Sequence, residues 1–347
     1  GMCLAPGIID IGVKVCEPGE KHKESFRSAS NAAAIGGVTS LVTRPDTKPS
    51  IDNPELLEFF KNRGKKFSKV RIFPTASLTK KNNGKKMTEI GFLHEGGAVA
   101  FTDGFNSIPN TKTFYTILKY ASDFDTLIIG HPQDHFLTQN TSASSGVFAS
   151  IKGLSSSPNI AEKIGIERDT ALVNNINIRY HVDQITTKIG LDVLRHAKKN
   201  NKRLTAGTSV HHILFNELDI GNYRTFFKLK PPLRNNIDRE ALTEAIKEGL
   251  IDNICSMHTP QDEESKRLPF EEAAPGAVGL ETILPASLSL YHNKVLTLNQ
   301  IFRLLAFNPA EIIKKKLGSL EEGYPADIIV FDPDKPVKID RFKFQSK

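Results

Sequence analysis

The sequence predicts an α/β protein whose main body is a (β/α)8 barrel. Three observations carry this. Short apolar runs rich in β-branched residues alternate with longer segments of helical period, and the alternation recurs along most of the chain. Helical segments also end in glycine or asparagine just ahead of the next strand ("AAIGG-VTS", "HEGG-AVAF", "KKNN-KRLTA").

In order, the strand candidates are "IIDIGVKV", "TSLVTRP", "KVRIFPTAS", "AVAFTDG", "TLIIGHP", "IRYHVDQIT", "LTAGTSV" and "IDNICSM". Helical candidates between them include "ESFRSASNAAAIGG", "NPELLEFFKNRGKK", "FYTILKYASDF", "GLDVLRHAKKNN" and "REALTEAIKEG". Further helices follow in "LETILPASLSLYHN" and "LTLNQIFRLLAFNPAEIIKKK". The tail "GSLEEGYPADIIVFDPDKPVKI" then reads as turn, strand, turn and strand, too little to stand alone as a sheet. The boundaries drawn are a barrel over 5–315 and a C-terminal β segment over 316–347. No internal sequence repeat is visible.

At 39% hydrophobic and 24% charged over 347 residues, the chain has ample material for a large core. It has no apolar run long enough to span a bilayer and no charged-then-apolar leader, so neither a membrane nor a secreted protein is expected. Three cysteines without metal-type spacing point to a reducing compartment, with the cytoplasm expected. Gly1 ahead of Met2 reads as a cloning remnant. The net charge of +7 comes from scattered lysines ("KNRGKK", "KKNNGKK", "AKKNNKR", "IIKKKL") at helix ends and loops. That is the pattern of a solvated surface, and no nucleic-acid-binding signature accompanies it.

Chemistry in such a barrel gathers where strands end and loops begin. Alternation along the first strand places Ile9, Ile11, Val13 and Val15 against helices and turns Gly12, Lys14 and Cys16 into the barrel. The stretch "PGIIDIGVKVCEPG" resembles the first-strand signature of the dihydroorotases, cyclic amidohydrolases that carry His-x-His there and an arginine two residues on. The resemblance continues through "RPDTKPSIDNPE", "GAVAFTDG", "GIERDTALV", "KLKPPLRNNIDREAL", "GLIDNICSMHTPQDEESKRLPFEEAAPGAVGLET" and "NPAEII…GYPADIIVFDPDKP". It implies a metal-dependent amidohydrolase barrel with a small β-sandwich alongside, of which this chain would keep a partial remnant at the C-terminus with "DIIVFDP" in need of cover. The activity implied is hydrolysis of a cyclic amide, dihydroorotate to carbamoyl aspartate, or the reverse, by zinc-bound hydroxide.

Carried over position by position, the implied ligand set fails. The two first-strand histidines correspond to Gly12 and Lys14, the sixth-strand histidine to Gln184, and the eighth-strand aspartate to Met257. His181 matches an earlier, non-ligating histidine. His131 alone stands where a metal histidine is expected, with Asp103 a possible match to the fourth-strand carboxylate. Glycine and methionine do not hold divalent zinc, glutamine holds it poorly, and an ammonium repels it. The implied substrate grips are altered too: the arginine matches Cys16, the second-strand asparagine Asp46, and the last histidine of the eighth-strand motif Gln261.

A metal centre relocated onto His131, His181, His211, His212 and His258 is the sharper alternative; local hydrogen bonding is the plainer account of those side chains. Cys16 as a nucleophile would need a base in reach and a lowered pKa, and a small buried thiol is the plainer account. Lys14 is expected to replace the lost cation and pair with Asp103 or His131. Scaffold motifs kept while ligands are gone suggest a fold retained for another purpose. The resemblance then implies a non-catalytic partner of the aspartate transcarbamoylase catalytic chain, itself oligomeric and without cofactor. The alternatives are an active cyclic amidohydrolase with an altered zinc centre, or a sensor that binds a pyrimidine intermediate without turnover.

Overall fold

Parallel pairing begins where the β-branched runs predict it. The computed structural model describes residues 1–347, the side chain of Arg341 apart. Its strands are β1 (Cys3–Pro6), β2 (Ile8–Val13), β3 (Val38–Thr43), β4 (Arg71–Pro74), β5 (Leu127–Gly130), β6 (Ala143–Ser144), β7 (Ser156–Ser157), β8 (Arg179–Val182), β9 (Leu204–Ser209), β10 (Asn253–Cys255) and β11 (Ile328–Phe331). Two parallel sheets, β2-β3-β4 and β5-β8-β9-β10, make the barrel wall.

Between these sheets the run "AVAFTDG" supplies bridges at Phe101 alone, parallel to Ala76 on one side and to Ile128 on the other. The run leaves the strand path early for a local reason. Asp103 turns its carboxylate to the Thr79 N–H (2.9 Å) and hydroxyl, and Gly104 adopts φ +64°. At the opposite seam the Lys14 N–H donates to the His258 carbonyl (2.9 Å) and the Ser256 N–H to the Asp10 carboxylate (2.9 Å), which sets β2 beside β10.

Two apolar layers result. Helix faces pack on the outside of the wall, where Phe26, Leu57, Leu118, Val173, Leu191 and Leu242 meet Leu41, Ile128, Tyr180 and Ile254. Inside, Val42, Ala100, Leu127 and Ile129 pack with Ala310, Ile312 and Ile313 and fill the barrel floor. Ile9 and Ile11 belong to this inner layer, whereas Val13 and Val15 belong to the outer one. The uniform alternation expected for the first strand is therefore corrected. Between Ile11 and Val13 the pairing with β3 slips by one residue, and Gly12 takes φ +95° in that bulge.

The helix ends follow side-chain chemistry. Ser25, Asn53, Thr187 and Asn235 each accept a backbone N–H in the first turn of the helix they open. At the expected C-caps, Gly37 and Gly97 take φ of +77° and +96°, while Asn201 is extended. The helix Ile160–Ile176 is absent from the sequence-predicted set. Its buried side carries Glu162, Asp169 and Thr170, which blurs its apolar period.

The appended β unit draws on both ends of the chain: β1 pairs antiparallel with β11, Leu4 opposite Val330, so the boundary drawn at residue 5 falls inside β1. Ile329 and Phe331 pack on the outer layer, while Leu4, Ile328 and Val330 face outward. Among the described residues no helix is long and apolar enough to cross a membrane.

Candidate functional site at the barrel mouth

Three of the four positions named as lost ligands share a backbone peculiarity. Gly12, Gln184 and Met257 have φ of +95°, +58° and +51°. For a residue other than glycine this conformation costs on the order of 1 to 3 kcal/mol and persists only where surrounding structure enforces it. The structure also brings the positions together. A Cβ on Gly12 would lie 3.6 Å from the Met257 sulfur, and the Gln184 amide donates to the Cys255 sulfur at 3.0 Å, two residues before Met257.

Lys14 reaches into the mouth, but its partner differs from the one expected. Its ammonium pairs with Asp46 at 3.0 Å, not with Asp103 or His131. Asp103 is taken by Thr79, and both ring nitrogens of His131 lack hydrogen-bond partners. Arg44 completes the cluster through a bidentate grip on Asp46 (Nε to Oδ1 3.0 Å, Nη2 to Oδ2 2.7 Å). Its guanidinium carbon sits 3.7 Å from the Phe105 ring centroid, and that ring meets His131 edge-on at 5.5 Å. Burial raises the Asp46 pKa, but Arg44 and then Lys14 outweigh it and hold the carboxyl well below the usual range. Asp183 is buried near the same charges, and burial lifts it to about 6.

The residues present do not fit zinc. Among the described residues no group of three or more His, Cys, Asp or Glu side chains is placed to hold a metal ion. The space between Met257, His211, Thr259 and Phe105 amounts to only about 10 Å³, roughly the least that admits one water. Burial, with Lys230 and Arg44, pushes His131 well below its usual pKa, so it is a neutral imidazole at pH 7.

The other histidines are mostly occupied. His181 Nδ1 meets the Thr205 hydroxyl at 2.8 Å. His212 bonds the Ser209 hydroxyl (2.8 Å) and the Pro231 carbonyl (3.1 Å). His258 accepts the Gly279 N–H at Nδ1 (3.2 Å), so Nε2 carries the proton it shares with Glu24 at 3.0 Å. His211 is buried with Nε2 unpartnered. These contacts place three separate local networks where a relocated centre would need convergence. Burial pushes the Cys16 thiol up to about 12, so no thiolate nucleophile is available there at neutral pH. Gln261 turns its amide to the Pro275 carbonyl at 2.9 Å.

The comparisons with known proteins agree with this architecture. The family model described as Dihydro-orotase-like matches residues 1–190. The dihydroorotase of Ehrlichia canis (strain Jake) is 38% identical over 345 residues, covering 99% of this chain and 77% of that protein. The chain belongs to the dihydroorotase-like family. A second member, the dihydroorotase of Listeria monocytogenes serotype 4b (strain CLIP80459), is 39% identical over 348 residues, covering 100% of this chain and 82% of its own. Among solved structures, the L-hydantoinase (dihydropyrimidinase) from Arthrobacter aurescens superposes with TM-score 0.89 at 23% identity, over 99% of this chain and 79% of that one. The fold is the amidohydrolase type of TIM barrel.

Two features of this dihydroorotase-like mouth escape a search for metal ligands. Arg44 belongs to no ligand pattern, and only its position two residues before Asp46 hints at an ion pair across the turn. Glu162 anchors the loop that holds Gln184. One oxygen accepts the Thr186 and Thr187 N–H groups (2.9 and 2.8 Å), and the other accepts Gln133 (2.9 Å), with Arg234 3.5 Å away.

Proposed function

We propose that this chain is a catalytically silent dihydroorotase-like protein of pyrimidine biosynthesis, a homo-oligomer acting in the cytoplasm as a structural partner of the aspartate transcarbamoylase catalytic chain. The observation that carries the reading is the rebuilt mouth. A Cβ on Gly12 would meet the Met257 sulfur, only about 10 Å³ remains beside Met257, and the Lys14 ammonium is neutralised by Asp46. Zinc chemistry of the family type needs several imidazole or carboxylate ligands and an open coordination position. Neither is supported by these side chains.

The runner-up reading, an active cyclic amidohydrolase with an altered zinc centre, is favoured by 38% identity over 99% of the chain to a protein named dihydroorotase. Metal analysis of protein purified without chelators, with a ring-opening assay on dihydroorotate, separates the two. Silence predicts less than one-tenth of an equivalent of zinc and no turnover, on the order expected for a site lacking its ligands. Stoichiometric zinc with turnover sinks it. Mixing the chain with the transcarbamoylase tests the partnership: co-elution with a change in transcarbamoylase activity supports it, and neither effect removes it.

A further inference from the structure

Parallel pairing gathers the beginnings of four strands on the floor of the barrel, at the end away from the mouth. Asp125 stands two residues ahead of β5, Arg179 opens β8, Lys202 and Arg203 immediately precede β9, and Asp252 immediately precedes β10. With Glu311 and Lys314 they wall a cavity of about 540 Å³. Its charges do not balance. One oxygen of Asp125 accepts from Arg203 and the other from Lys314. Arg179 is half-buried beside them, yet its guanidinium donates only to backbone carbonyls, those of Asp125 (3.4 Å) and Ile312. Burial is the largest influence on Arg179 and, with Arg203 alongside, lowers its pKa even against the pull of Asp125. Asp252 is spent on Lys198 (2.7 Å) and on the Ala206 N–H (2.7 Å). Among the described residues neither Lys202 nor Glu311 has an ion pair. Arg179, Lys198, Lys202, Arg203 and Lys314 against Asp125, Asp252 and Glu311 leave two cations over.

The size of that surplus narrows the ligand. A carboxylate would cancel half of it, whereas a phosphate group carries about two negative charges and presents oxygens that planar guanidiniums bond in pairs. We propose that this floor cavity binds a small phosphorylated molecule through its phosphate, gripped by Arg179 and Arg203 with Lys202 and Lys314 beside them. Asp125 is then the competitor, a carboxylate that occupies the same cations when the ligand is absent. No residue of the mouth takes part, and the inference does not depend on the silent reading, since occupancy of the floor requires neither zinc nor turnover.

Calorimetry with inorganic pyrophosphate as probe, at pH 7 in low-salt buffer free of sulfate and divalent metal, tests it. The wild-type protein takes up about one equivalent. Arg179→Met weakens binding at least about tenfold, while Lys65→Met, which removes an equal charge from an exposed position on the helix Pro54–Phe67, changes it by less than about twofold. Asp125→Asn shifts affinity the other way. Asp125 has φ +47°, a conformation that asparagine also adopts, so the backbone is kept and loss of the competing carboxylate tightens pyrophosphate at least about threefold. A gain of affinity cannot come from misfolding. No uptake by the wild type at millimolar concentration overturns the proposal. Equal weakening in Lys65→Met and Arg179→Met also overturns it, because attraction to the protein's overall positive charge would then account for the binding. So does an Asp125→Asn protein that binds no more tightly than wild type.

Discussion

At the scale of single residues, the mouth is held by charge pairing where its relatives' resemblance would put a metal. Asp46 is the keystone, because Arg44 and Lys14 both spend their charge on it. Asp46→Asn keeps the shape but leaves two enclosed cations facing each other, and it is expected to lower unfolding free energy in urea by about 3 kcal/mol. Asp183 behaves in the opposite sense. Burial raises its folded pKa to about 6 from the ordinary 3.8. The folded state therefore binds the proton more readily between roughly pH 4 and 6, and this contribution to stability is lost as pH rises through that window. Asp183→Asn removes the cost of ionisation. Urea melts should show it gaining about 2 to 3 kcal/mol on wild type at pH 8, with the gain fading below pH 4.

At the scale of elements, β2 carries the decisive irregularity. Gly12 has room for a methyl group, with Met257 at 3.6 Å, but its φ of +95° is one that alanine tolerates poorly. Gly12→Ala should cost about 1 to 2 kcal/mol through backbone strain alone, read as a lower urea midpoint with unchanged slope. The sequence made most strands legible, since β2, β3, β5, β8 and β9 each coincide with a β-rich apolar run. The bulge was not legible, because alternation assumes one residue per pleat and nothing in "DIGVK" announces an extra one. The helix Ile160–Ile176 escaped for the converse reason: the carboxylates it buries are satisfied by distant partners, such as the Tyr180 hydroxyl on Asp169 (2.5 Å), which a local period does not reveal.

At the scale of the whole molecule, the barrel separates an apolar floor from a charged mouth. A chelator at millimolar concentration should leave the melting temperature unchanged within about 1 °C, whereas loss of a structural or catalytic zinc would lower it by mass action. The site's residue types could be read from the chain, but its partnerships could not. Lys14 and Asp46 lie 32 positions apart, and their pairing becomes plain only once β2 and β3 run side by side. The slip at Gly12 reaches further than its own strand. By holding one amino acid out of register it lets the same ribbon send isoleucines downward and a lysine upward. A regular pleat that kept Gly12 in register would swap the two compartments' side chains, delivering Val13 to the opening and driving the Lys14 ammonium into oil-like packing against the helices, whereas deleting that single codon would leave both where they are.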